Sequence, residues 1–170
     1  MIQSHTHHDT PIGRLLLIAD ERGLRGLFME QHRHGPTRVE EGRADASLFD
    51  DARRQLDEYF AGKRRSFELA LAAEGTEFQL AVWHELMQIP YGQTCSYGEI
   101  AKRVGRPAAS RAVGAANGRN PISIIVPCHR VIGSTGALTG YGGGEQRKRW
   151  LLEHEATSSS AQLSLLQTQP

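Results

Sequence analysis

The residues best suited to chemistry stand together in the stretch "IIVPCHRVIG", residues 124–133. Cys128, His129 and Arg130 interrupt an apolar, β-branched run just after Pro127. Three kinds of chemistry fit a cysteine so placed. It could be an inert buried thiol, since free cysteine is among the most buried residue types. It could ligate a metal, although a structural zinc site wants several Cys or His ligands at set spacings and an adjacent Cys–His pair cannot readily chelate one ion. It could be a nucleophile, which needs a base or a cation to lower the thiol pKa. His129 and Arg130 are candidates for that help, but neighbouring side chains need not face each other; a relay through water or another residue would remove that difficulty.

Other residues with chemical potential are spread over the preceding and following chain. Asn120 and Pro121 precede the cysteine run, and an Asn side chain can fix a turn through neighbouring backbone groups. The stretch "AASRAVGAANG" holds Ala108, Ala109, Ala112, Gly114, Ala115 and Ala116, so something could approach its backbone closely; Arg111 is its one long side chain. Such a helix could lie against DNA or simply pack tightly on another helix. Tyr97 falls in the first turn of a helix, Tyr141 in a Gly-rich loop, and Glu155, after His154, at the expected end of the last helix, where the dipole disfavours a carboxylate. Cys95 has no cationic cluster around it and reads as structural. His5, His7 and His8 lie in an expected terminal segment and read as surface residues.

These residues belong to a chain of 170 residues, enough for one ordinary domain or two small ones. Two cysteines make no disulfide framework, which favours a reducing compartment. The N-terminus has no basic region followed by an apolar run, and "LLLIA" and "ISIIV" are too short to span a bilayer, so a soluble, cytoplasmic protein without a membrane partner is expected. The net charge of +1 excludes little, but its distribution is uneven. From Tyr97 to Arg130, Lys102, Arg103, Arg106, Arg111, Arg119 and Arg130 face Glu99 alone, a local charge of +5. That segment could face phosphates or be a solvated face.

The elements that must position the candidates can be read in order. "GRLLLIAD" and "LRGLFME" predict two strands joined by the turn "ERG"; residues 32–46 read as loop. Leu48, Phe49, Ala52, Leu56, Tyr59 and Phe60 predict a helix over 47–61, and "RRSFELAL" alternates like a further strand. A boundary is expected near Glu74 and Gly75, giving units of 1–73 and 74–157 and a flexible tail of 158–170. Thr76 with Gln79 and Ser96 with Glu99 are capping-box patterns opening two helices. The second helix and "AASRAVGAANG", joined across "GRP", predict a helix-turn-helix. "ISIIV" predicts a buried strand leading to Cys128, and "EQRKRWLLEHE" the last helix. The fold class expected is α+β: a small N-terminal sheet-plus-helix domain, then a mainly helical domain with a winged-helix-like helix-turn-helix.

The stretches "IPYGQTCSYGEIA", "SRAVGAANGRNPISIIVPCHRVIG", "GALTGYGGG" and "KRWLLEHE", in this order, resemble the O6-alkylguanine-DNA alkyltransferases, especially the bacterial methylated-DNA–protein-cysteine methyltransferases. The resemblance is dense from Thr76 to Glu155. It implies direct-reversal DNA repair: irreversible, single-turnover transfer of an alkyl group from O6-alkylguanine, and also O4-alkylthymine, to Cys128. His129, a water and Glu155 would form the relay that deprotonates Cys128, Asn120 would hold the active-site loop, and Tyr97 would donate to the departing guanine. Arg111 would fill the gap left by the flipped nucleotide, on a DNA face with Ala109, Ala112, Gly114 and Ser96. Val131, Tyr141 and Gly142 would line the base pocket with Tyr97. Gly142 departs from relatives that carry a serine there, so a backbone amide would serve guanine O6. The resemblance implies duplex DNA as the partner, a monomer when free and no cofactor. No structural zinc is expected, because the human relative's ligands include cysteines and none precedes Cys95 here. The adaptive-response regulators' extra metal-binding domain is not seen, so no transcriptional role is expected. A non-catalytic lesion-sensing protein and a Cys-dependent hydrolase are the rival readings.

Overall fold

The computed structural model describes residues 3–37 and 49–167. Its N-terminal part is a three-stranded antiparallel sheet in the order β1 (Ser4–Thr10), β2 (Gly13–Asp20), β3 (Gly23–Met29). Leu15, Leu17, Ala19, Leu24, Leu27 and Met29 are buried, as the alternation in the two predicted strands requires. Each hairpin closes on a glycine at positive φ, Gly13 at 106° and Gly23 at 136°. β1 is a correction to the expected terminal segment. It is an edge strand of polar residues, so hydrophobic alternation could not reveal it; "TPIG" before β2 was the available turn signal.

Helix α1 (Asp50–Phe60) begins with Asp50 and Asp51, which favour a helix N-terminus, and buries Ala52, Leu56 and Tyr59. The first residues of the predicted helix, and most of the predicted loop, lie in 38–48, outside the described residues. "RRSFELAL" is extended but is no regular strand. Leu71 makes one parallel bridge to Leu24, while the Gln55 amide holds Glu68 at both backbone groups (3.0 and 2.8 Å). A side-chain clamp replaces the ladder, and periodicity cannot distinguish the two.

The second part is helical. α2 (Glu77–Leu86) and α3 (Tyr97–Arg103) both start in complete capping boxes, from Thr76 with Gln79 and from Ser96 with Glu99. Each box satisfies two otherwise orphaned backbone N–H groups. α3, a turn through Gly105 at φ 74°, and α4 (Ser110–Gly118) form the predicted helix-turn-helix, packed on α2 through Val82, Ile100, Val113 and Ala116. The Trp83 indole donates to Ala116 O at 2.9 Å and locks α2 to α4.

"ISIIV" is buried, as expected, but it is not a strand. Ile122 makes a single bridge to Leu27 and the chain then turns, with Ile124 at φ 72°. A β-branched residue there is strained by roughly 1–3 kcal/mol, a cost the surrounding packing must carry. The Asn120 side chain supplies part of the restraint: Oδ1 accepts from Ile122 N (3.0 Å) and Nδ2 donates to Val126 O (2.8 Å). Cys128–Arg130 form one 3-10 turn, followed by β5 (Val131–Ile132), which pairs in parallel with β4 (Cys95–Ser96).

Helix α5 (Glu145–Gln167) runs through the stretch expected to fray. No Gly or Pro occurs from 156 to 169, so nothing in the sequence stops it. No helix among the described residues is long and apolar enough to cross a membrane.

Candidate active site

The strained turn after Asn120 and the 3-10 turn deliver Cys128 to the interior, where it is 2% exposed. His129, the next residue, and Glu155, far along the chain in α5, are both fully buried and bond each other. Glu155 is mid-helix in α5 rather than terminal, so the dipole has no bearing on it. Its carboxylate is instead the hub of five hydrogen bonds. Oε1 accepts from His129 Nε2 (2.7 Å), Tyr59 OH (2.8 Å) and Arg130 Nη2 (2.9 Å). Oε2 accepts from Arg130 Nε (2.9 Å) and Gly92 N (3.1 Å). Burial works to raise the Glu155 pKa, but the His129 and Arg130 bonds and charges hold it well below the usual carboxylate range.

That charge state fixes the imidazole. A carboxylate only accepts, so His129 Nε2 carries a proton and Nδ1 presents its lone pair. Nδ1 is buried with no hydrogen-bond partner among the described residues, and burial lowers the His129 pKa, so the ring is neutral and able to take a proton. The Cys128 thiol is pushed up to about 11 by burial, against lowering by the Asn120 hydrogen bond, the Lys148 charge and the amides of Cys128 and His129. A thiol so protonated needs a base before it can attack.

Of the residues expected to line the pocket, Tyr97 and Tyr141 lie near enough to Cys128 for its charge to act on them. Tyr97 OH donates to Thr139 O at 2.5 Å, and burial, then Cys128, pushes its pKa up to about 12. Tyr141 is buried, with its OH on Met29 Sδ at 3.7 Å. Val131 is fully buried, and Gly142 lies in the loop that returns past Gly118. α4 turns Arg111 and Ala112 outward, with Ala109 half-buried just before it; Gly114 faces the Tyr97 ring. The Ser96 hydroxyl is committed to its capping box. Among the described residues no group of three or more His, Cys, Asp or Glu is placed to hold a metal.

Three contributors were missed from sequence. Lys148 is fully buried and donates from Nζ to Val131 O and to Thr139 O (3.1 Å), with its pKa brought down to about 8 by burial. Asn117 donates to Cys128 O at 3.2 Å, and Tyr59 reaches Glu155 from α1. A lysine in "RKRW" looks like helix surface, and only the fold shows which cation turns inward.

Fold and site together define a protein with a buried thiol, next in sequence to a buried His–Glu pair, mounted behind a helix-turn-helix. The sequence profile described as 6-O-methylguanine DNA methyltransferase, DNA binding domain, matches residues 77–157, and that of the ribonuclease-like domain of the same methyltransferase matches residues 4–73. A methylated-DNA–protein-cysteine methyltransferase of Methanosarcina acetivorans is 52% identical over 153 residues, spanning 88% of this chain and 96% of its own. The protein of that name from Mycobacterium tuberculosis is 52% identical over 157 residues, spanning 92% and 94%. The crystal structure of M. tuberculosis OGT in complex with DNA superimposes with a TM-score of 0.87 at 50% identity, covering 91% of this chain and 94% of that one. The chain belongs to the 6-O-methylguanine DNA methyltransferase family.

Proposed function

We propose that this chain repairs duplex DNA by moving the alkyl group of O6-alkylguanine, and also of O4-alkylthymine, onto Cys128, once per molecule. The observation that carries the reading is the buried Cys128–His129–Glu155 arrangement, with the imidazole fixed as a base. An alkylated O6 is out of reach inside the base stack, so the nucleotide must be flipped into the pocket. His129 Nδ1 takes the thiol proton through a water, and the sulfur attacks the alkyl carbon in line. The carbon–O6 bond breaks, the thioether forms, and the electron pair stays with guanine. Tyr97, released from Thr139 O, donates its hydrogen to the departing base, which offsets the developing charge. A thioether has no leaving group to regenerate the thiol, so each molecule acts once. The step needs no cofactor.

Residues 74–157 carry the DNA face and the acceptor, and residues 1–73 support them. Arg111, Ala109, Ala112 and Gly114 form the face that meets DNA, with Ser96 contributing its backbone and cap rather than a free hydroxyl. The free protein acts as a monomer in the cytoplasm, where Cys95 and Cys128 stay reduced.

Arg111 is exposed on the first turn of α4, where it can occupy the space of a flipped nucleotide. Flipping costs a few kcal/mol in a duplex and little in a single strand. Arg111→Ala is therefore expected to slow methyl transfer from duplex DNA by about tenfold or more, ~1.4 kcal/mol per tenfold. Transfer from a single-stranded oligonucleotide with the same lesion should change far less. Equal losses on both substrates would refute this role.

A further inference from the structure

The Gly-rich loop that closes the base pocket is held from two sides, and the second side belongs to the N-terminal sheet. In front, Thr139 O receives Tyr97 OH and Lys148 Nζ. Behind, Arg147 donates Nε to Ile12 O (3.0 Å) and Nη1 to Glu30 O (2.8 Å) and Gly143 O (3.2 Å). One guanidinium thus joins the β1–β2 turn, the end of β3 and the loop. Among the described residues Arg147 takes part in no ion pair, so its charge is spent on backbone carbonyls alone. Arg33 N adds a bond to Gly142 O at 2.9 Å.

The loop glycines are matched to this back wall. Gly142 has no positive φ, so its backbone tolerates any residue. What excludes a side chain is its surroundings: a Cβ would lie 2.3 Å from His32 Nε2 and 3.0 Å from Gly118 O. At Gly143 a Cβ would lie 2.3 Å from Met29 Sδ. The His32 ring is itself fixed, accepting from His34 N at Nδ1 (3.2 Å) and standing edge-on to Phe28. Side chains at the end of β3 and just after it fill the room that the loop leaves empty.

We propose that Arg147 is a positioning residue for the base pocket: with His32 and Met29 behind the loop, it sets the Tyr141–Gly143 wall against the N-terminal sheet. The proposal rests on the base-pocket reading above and gives the N-terminal part a role in chemistry without contact to DNA. A lysine cannot replace the pin, because its three donors sit on one atom and cannot span three separated carbonyls.

The test compares Arg147→Met, Arg147→Lys, His32→Ala and Gly142→Ala with wild type, measuring duplex affinity and the saturated single-turnover rate on O6-methylguanine DNA, each per folded molecule. Both Arg147 variants should lose about tenfold or more in the saturated rate, since displacement near 1 Å can cost ~100-fold. Affinity for DNA should stay within about twofold, a tenfold change being ~1.4 kcal/mol. Gly142→Ala alters the pocket lining directly and serves as a control; His32→Ala, which keeps the pin and changes only the back wall, should reduce the rate in the same way and decides the matter if the Arg147 variants do not fold. Saturated rates equal to wild type, or a loss confined to affinity, would overturn the proposal. A wild-type protein that gains no methyl would instead contradict the repair reading itself.

Discussion

Cys128→Ser is expected to fold, to bind O6-methylguanine DNA and to transfer nothing. Serine is smaller than cysteine and keeps a polar atom for Asn120 and the local amides, so the buried position tolerates it. The chemistry does not. Burial already pushes the Cys128 thiol up to about 11, so even the native sulfur must lose a proton before it attacks. A hydroxyl starts several units higher and is a far poorer nucleophile toward saturated carbon. The rate should fall by at least ~1,000-fold, about 4 kcal/mol of barrier. Binding that survives while transfer disappears would separate the acceptor role from DNA recognition. A serine variant that still gains a methyl group would place the acceptor elsewhere.

Glu155→Ala should be the most damaging substitution to the fold. It removes the acceptor of five hydrogen bonds and strands the Arg130 charge, the Tyr59 hydroxyl and the His129 imidazole in the interior. Breaking one member of a buried ion pair typically costs about 3–5 kcal/mol. Against a total stability of about 5–15 kcal/mol, the variant would be marginal at 37 °C. Glu155→Gln is the informative partner, since it keeps the shape and loses the charge. The Glu155 carboxyl is held below its usual range, so its contribution is full above the unfolded-state pKa near 4.5 and is lost as pH falls through that value and below. The stability gap between wild type and Glu155→Gln, measured by urea unfolding, should therefore be largest at neutral pH and shrink in acid. A gap independent of pH would contradict the charged, paired state.

Much of the scaffold was legible in the sequence because its parts are locally encoded, whereas the roles of the site residues came from the family resemblance. The capping boxes at Thr76 and Ser96 open α2 and α3 as read, since N-cap chemistry depends on residues three apart. The helix-turn-helix and the burial of residues 122–126 followed from spacing and apolar content. The route through that buried run was not legible. A left-handed Ile124 is imposed by the Asn120 clamp and the Leu27 bridge, and no local preference signals it. β1 escaped because a polar edge strand has no apolar alternation. Glu155 was placed at a helix end because the following Ser and Thr residues looked like a tail, whereas without Gly or Pro the helix simply continues. Lys148, Tyr59 and Asn117 enter the site through tertiary contacts, and a one-dimensional pattern carries no sign of which charged or polar residue turns inward.

The central claim is that Cys128 accepts one alkyl group and keeps it. The direct measurement is the intact mass of the wild-type protein after incubation with excess duplex DNA containing O6-methylguanine, followed by peptide mapping. One methyl group per molecule, located on Cys128 and unchanged on longer incubation, is the predicted result. An unmodified protein bound to lesion DNA, or repair of many lesions per molecule, would contradict it.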